Sequence, residues 1–155
     1  MGIVGLVVVD QLTKAMVTSS LRLHETIEVI PGLLNLTYVQ NTGAAFGVLN
    51  GVDFPFKPLI VTLLALAALA AIGAYAMHVG SDTWIGRFGL TCVLGGAIGN
   101  LIDRGTRGSV VDFVDFYWGS FHFWAFNVAD AAITVGAIAL IIEMLAAGRH
   151  VPEAV

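Results

Sequence analysis

Apolar positions fall into four long stretches. Their lengths suit a bilayer, which asks for about 20 residues at about 1.5 Å rise each across about 30 Å of hydrocarbon. The clearest runs from about Leu59 to Val79, uncharged and rich in Leu and Ala, with Pro58 at its start, where a missing N–H costs nothing. Another spans about Ile85 to Ile102 and holds Gly95 and Gly99 at the GxxxG spacing that lets membrane helices approach closely. The last spans about Trp124 to Ala147, with Asn127 and Asp130 near its beginning and Glu143 near its end. The first, Gly2 to about Ser19, is broken by Asp10-Gln11-Leu12-Thr13-Lys14. Only nine residues precede Asp10, so this helix is expected either to begin further upstream or barely to reach one face. It does not read as a secretory signal, because charges interrupt the apolar run and no basic segment precedes it.

The pattern changes between about Leu21 and Lys57. Thr26 to Ile30, then Pro31-Gly32, then Leu33 to Gln40 alternate with β-branched residues about a turn pair and read as strand, turn, strand. Asn41-Thr42-Gly43 makes a further turn, and Ala44 to Leu49 reads as another strand. The expectation is a small sheet or half-barrel on one side of the membrane. A loop from Asp103 to about Phe123 falls on the same side if four spans alternate, so two polar regions share one face. The whole is read as a single membrane domain, residues 1–155, with no internal repeat.

Composition supports this. Of 155 residues 57% are hydrophobic and 12% charged, against about 45–50% and about 25% in soluble domains. That is too little charge to cover a soluble globule. A net charge of −4 with 7 Lys and Arg leaves no basic footprint for nucleic acid, and one cysteine excludes a disulfide scaffold.

Scarce charge makes its placement informative. A central Asp, Lys or Arg in a span costs about 2.5–3.5 kcal/mol on insertion scales, so each needs a partner or a job. The candidates are Asp10, Lys14, Asn100, Asp103, Arg104, Asp112, Asn127 and Asp130. Asp10 and Lys14 stand at i and i+4, acid before base, which suits an intrahelical ion pair that makes burial tolerable, with a catalytic role as the alternative. Asp112 emerges from a strand-like Val110-Val111, and Asp130 lies three residues after Asn127. Two carboxylates brought together in a low-dielectric site share a proton, one poised as base and the other as acid, which activates water for attack on an amide. Spacing alone leaves Asp103 and Asp115 competing for that pair, and helix-capping aspartates are the plain alternative. Other chemistry is weaker. Cys92 sits mid-span without a histidine, His24, His78, His122 and His150 lack metal-ligand spacing, and Gly43 to Gly47 is no phosphate loop. No metal and no cofactor is expected. The aromatic run from Phe113 to Phe126 reads first as an interfacial belt, and an acyl chain is its other occupant.

Five segments then carry a resemblance: Asp10-Gln11-Leu12-Thr13-Lys14, Asn41 to Gly47, Gly95 to Arg104, Val110-Val111-Asp112-Phe113 and Phe126 to Asp130. In this order, over about residues 3 to 146, the chain resembles the bacterial lipoprotein signal peptidases, or signal peptidase II. The resemblance implies an α-helical integral membrane protein of four transmembrane helices with a small extracytoplasmic β-cradle and a short helix on the outer side. It implies an aspartyl endopeptidase of the bacterial plasma membrane that cuts prolipoproteins before a cysteine already carrying diacylglyceryl. The catalytic aspartates then fall on Asp112 and Asp130. Asp10, Lys14, Asn41, Asn100, Arg104 and Asn127 fall on supporting or substrate-binding positions. Membrane lipids are implied neighbours, globomycin an expected inhibitor, and a monomer the expected state. Counting charges gives no orientation. With the family's arrangement Arg22, Lys57, Arg104 and Arg107 lie outside and only Arg87 and Arg149 inside. The family's orientation, with both termini cytoplasmic and the site near the outer face, is therefore followed.

Two readings of other classes compete. A small transporter or proton-conducting subunit would use membrane-edge carboxylates as a relay. A non-enzymatic assembly or lipid-binding subunit would need only GxxxG and the aromatic cluster.

Overall fold

A computed structural model describes residues 2–43, 52, 54–79 and 83–148, with side chains from 75 to 79 and at 147 and 148 left aside. Four helices carry the apolar stretches: α1 Ile3–Ser20, α2 Lys57–Val79, α3 Trp84–Arg107 and α4 Val128–Gly148. Each is long and apolar enough to cross a membrane. Strands β1 Thr26–Ile30, β2 Leu34–Asn41, β3 Val110–Trp118 and β4 Phe121–His122 form one antiparallel sheet in the order β1-β2-β3-β4.

Two boundaries differ from the expected ones in ways that matter. The third helix does not stop at Ile102 but continues to Arg107, so Asp103, Arg104 and Arg107 are helical rather than part of a loop. It ends where Gly108 takes a left-handed conformation (φ 75°) and its N–H returns to the Arg104 carbonyl, turning the chain directly into β3. The fourth helix begins at Val128 rather than Trp124. Residues before it stay extended, and Phe126 exchanges backbone hydrogen bonds with Val114 of β3. The loop expected between the last two spans is therefore mostly sheet. Expected strand 44–49 lies outside the described residues, and the outer-side short helix has no counterpart among those described.

Helix α3 is the centre of the helical layer, packed against α4, α1 and α2. Its glycines explain the closeness. A Cβ on Gly96 would run into the Ala129 carbonyl of α4, and one on Gly99 would come within 2.5 Å of Asp10 Oδ2 on α1. Further along, Gly89 and Gly136 face each other's backbones, where a Cβ on either would lie 2.9 or 2.6 Å from the opposite carbonyl oxygen. The GxxxG pair Gly95 and Gly99 both meet α1, while Gly96, between them, meets α4. A small apolar cluster of Val17, Leu21 and Phe113 joins α1 to the sheet.

Candidate active site

Polar side chains from α1, α3, α4, β2 and β3 converge where the helices meet the sheet. At the bottom is Lys14, fully buried. Its Nζ lies 2.9 Å from Asp10 Oδ2, 2.9 Å from Asp103 Oδ2 and 2.9 Å from Asn100 Oδ1. An ammonium has three protons, so these acceptors satisfy it completely. Both carboxylates are equally inaccessible, and each is used by more than the lysine. Asp10 Oδ1 accepts the Ala129 N–H at 3.0 Å, filling one of the donors a helix N-terminus leaves open. Asp103 accepts from the Val111 N–H (3.1 Å), from Gln11 Nε2 (3.1 Å) and from Arg107, which makes a close ion pair with it.

Above this cluster three asparagines connect to two aspartates. Asn100 Nδ2 donates to Asp130 Oδ1 at 2.7 Å. Asn127 precedes α4 and caps it, its Oδ1 accepting the Asp130 N–H at 2.9 Å while its own backbone N–H faces Asp130 Oδ2 at 3.4 Å. This is the reciprocal geometry of a capping box with aspartate in the third helical position. The same Asn127 donates through Nδ2 to Asp112 Oδ1 at 2.7 Å. Asn41, last residue of β2, donates to Asp112 Oδ2 at 3.0 Å, and its Oδ1 accepts the Gly43 N–H at 2.9 Å in an Asx turn. Arg104, half-buried on the same face of α3 as Asn100, donates to the Gly43 carbonyl at 3.2 Å.

Asp112 is buried on β3, at 2% exposure. Burial, reinforced by the facing charge of Asp130, pushes its carboxyl up to about 7, against the opposing pull of the Asn41 and Asn127 hydrogen bonds and of Lys14. The Asp112 carboxyl therefore holds its proton far more tightly than an exposed aspartate does.

All eight residues singled out from the sequence thus sit in one connected network. Asp10 and Lys14 do form the intrahelical pair their spacing suggests. The competing aspartates go elsewhere: Asp103 is filled by cations and amides, and Asp115 is engaged by Asn35 Nδ2 at 3.0 Å and by His122 Nδ1. Sequence reasoning gave no role to Gln11 and did not tie Asp103 to Lys14. The available signal was spacing, because Asn100, Asp103, Arg104 and Arg107 recur at three and four residues and share one helical face.

Beside the aspartates opens a cleft of about 380 Å³. Asn41, Asp130 and Thr134 are its polar lining, while Val110, Phe123, Trp124 and Val135 are among its apolar walls. A cleft walled mainly by apolar side chains with a few polar groups suits a largely apolar ligand.

A family model described as signal peptidase (SPase) II matches residues 3–146. A lipoprotein signal peptidase of Syntrophotalea carbinolica is 43% identical over 145 residues, covering 93% of this chain and 89% of that protein. One of Maridesulfovibrio salexigens is 46% identical over 144 residues, covering 92% of each. Among solved structures, a bacterial membrane enzyme determined in meso at 2.3 Å superposes with a TM-score of 0.83 at 31% identity, covering 99% of this chain and 91% of the other.

Proposed function

The chain belongs to the signal peptidase II family and removes signal peptides from prolipoproteins, and from that premise we propose that it does so as an aspartyl endopeptidase with Asp112 and Asp130 as the catalytic pair. The observation that carries this reading is the arrangement of the two carboxylates. Each receives side-chain amide donors, the charge of Asp130 raises the carboxyl of buried Asp112, and Asp130 lines the cleft.

With one proton between them, the ionised member takes a proton from a water molecule, and that water attacks the carbonyl preceding the cysteine of the substrate. The protonated member gives its proton to the developing oxyanion; the nitrogen then takes the proton that the other carboxylate removed from water and leaves as the amine when the C–N bond breaks, while one hydroxyl of the intermediate returns its proton to the ionised carboxylate. The asparagines keep both carboxylates in fixed rotamers, which supplies the geometry that proton transfer needs. Arg104 secures the Asn41–Gly43 turn, so the turn stays against the cleft. The substrate is a prolipoprotein whose cysteine carries diacylglyceryl. Its acyl chains stay in lipid while the peptide reaches the polar lining of the cleft. The site lies near the extracytoplasmic face with both termini cytoplasmic. The enzyme works as a monomer, and globomycin occupies the same cleft.

The test is cleavage of a diacylglyceryl-modified precursor by the purified protein in detergent. Asp112→Asn and Asp130→Asn are each expected to lose cleavage while the protein stays folded. Cleavage at the unsubstituted rate by both would end the reading.

A further inference from the structure

A fully buried lysine is costly to keep, and the third hydrogen bond of Lys14 points to its use here. Two of the Lys14 protons are taken by Asp10 and Asp103, whose charges are balanced by Lys14 itself and Arg107. The third goes to the carbonyl oxygen of Asn100. An asparagine amide can present either end to a neighbour, and a carboxylate next to it accepts only the N–H end. Because Lys14 can only donate, it holds the Asn100 oxygen on its own side and so turns Nδ2 toward Asp130, at 2.7 Å. Asn100 Oδ1 also accepts from Asn127 Nδ2 at 3.3 Å, and Asn127 in turn holds Asp112. One lysine is therefore connected to Asp130 through Asn100, which it orients, and to Asp112 through the Asn127 that Asn100 contacts.

We propose that Lys14 is a positioning residue of the cleavage reaction, acting through Asn100 to fix the orientation of Asp130 and, through Asn127, the protonation of the pair. This rests on Asp112 and Asp130 being the catalytic pair. Among the described residues, the charged groups of the network around that pair are Lys14 and Asp10 from α1, Asp103, Arg104 and Arg107 from α3, and the two aspartates themselves, with Lys57 of α2 reaching Thr42 beside Asn41. Of these, Lys14 is a cation that favours ionisation of Asp112. Its loss strengthens proton binding there and moves the alkaline limb of the rate profile upward.

The experiment compares Lys14→Met with the charge-balanced Lys14→Met/Asp103→Asn, Asn100→Ala and Lys14→Met/Asn100→Ala, all assayed on lipidated precursor as folded, detergent-purified protein. Lys14→Met should lower kcat on the order of 100-fold with KM little changed, as expected for displaced catalytic groups, and raise the alkaline limb by about 0.5–1 pH unit. Adding Asn100→Ala should cost little more than either single change, since both break one connection. If Lys14→Met alone does not fold, the charge-balanced variant carries the same kcat and pH predictions. An unchanged kcat and pH profile in folded Lys14 variants, or fully additive losses with Asn100→Ala, would overturn the proposal. Asp112→Asn and Asp130→Asn assayed alongside separate the two failures. If they are active the catalytic pair is wrong, and if they are inactive while Lys14 variants are normal only the positioning role is wrong.

Discussion

Helices α2 and α3 are both long enough to span a bilayer, yet the structure uses them in opposite ways. The most apolar window of α2 has a mean hydropathy of 2.0 and is 11% buried within the protein, whereas α3 has 1.4 and is 44% buried. The more hydrophobic helix faces outward and the less hydrophobic one fills the middle. In water the order would be reversed. In lipid, apolar surface gains nothing from burial, so the interior goes to helices with small residues that pack closely and polar residues that need partners. Helix α3 supplies both, with Gly89, Gly96 and Gly99 for contact and Asn100, Asp103 and Arg104 for the site.

The contrast can be tested at graded strengths. The largest effect is expected at the aspartates that α3 and its neighbours hold. Removing general acid–base chemistry with Asp112→Asn or Asp130→Asn should reduce precursor cleavage by about 10³-fold or more, with helical content by circular dichroism unchanged. Next comes packing. Gly96→Val would drive a side chain into the Ala129 carbonyl and Ile133, and overpacking of that kind costs about 1–3 kcal/mol, measurable as a lower unfolding temperature in detergent. Retained stability would show that α3 and α4 are not in close contact at this point.

A smaller effect sharpens the account of the site. Cleavage should fall as pH rises through about 7, where Asp112 loses its proton and both carboxylates become charged. Asn41→Ala removes a hydrogen bond that favours the ionised form, so this limb should move to higher pH, by about 0.5–1 unit. Stability follows the same sign. The folded protein holds the Asp112 proton more tightly than the unfolded chain, whose carboxyl keeps its ordinary value of 3.8. That favour is full below this value and is lost as pH rises toward 7. The smallest effect is expected on α2, where Leu64 is 60% exposed to the surroundings. Leu64→Val should change stability by less than about 0.5 kcal/mol and leave cleavage untouched. A large loss would mean that α2 packs on something more than lipid.

Much of this was legible residue by residue. Asp10 and Lys14 are tied by helical spacing, Asn127 and Asp130 by the geometry of a helix start, and both arrangements need only local structure. The ends of α3 and α4 were harder to read. Asp103, Arg104 and Arg107 look like loop residues because charge normally ends a span, but Lys14 and the Val111 N–H neutralise and satisfy Asp103 from outside the helix. Trp124 to Phe126 are apolar enough to be counted as helix, yet Val114 across the gap offers strand hydrogen bonds instead.

The sequence by itself determined that the chain is a membrane protein, where its four spans lie, that strands separate the first two, and which few polar residues stand out. Those properties follow from local periodicity and from the high cost of charge in hydrocarbon, neither of which needs a partner. Which polar residue meets which was decided only by the tertiary structure. Asp112 and Asp130 are far from Lys14 along the chain, and Asp103 and Asp115 are of the same chemical type as the pair they do not join. Hydrogen bonds across elements, made where α3 brings α1, α4 and the sheet together, distinguish one carboxylate from another.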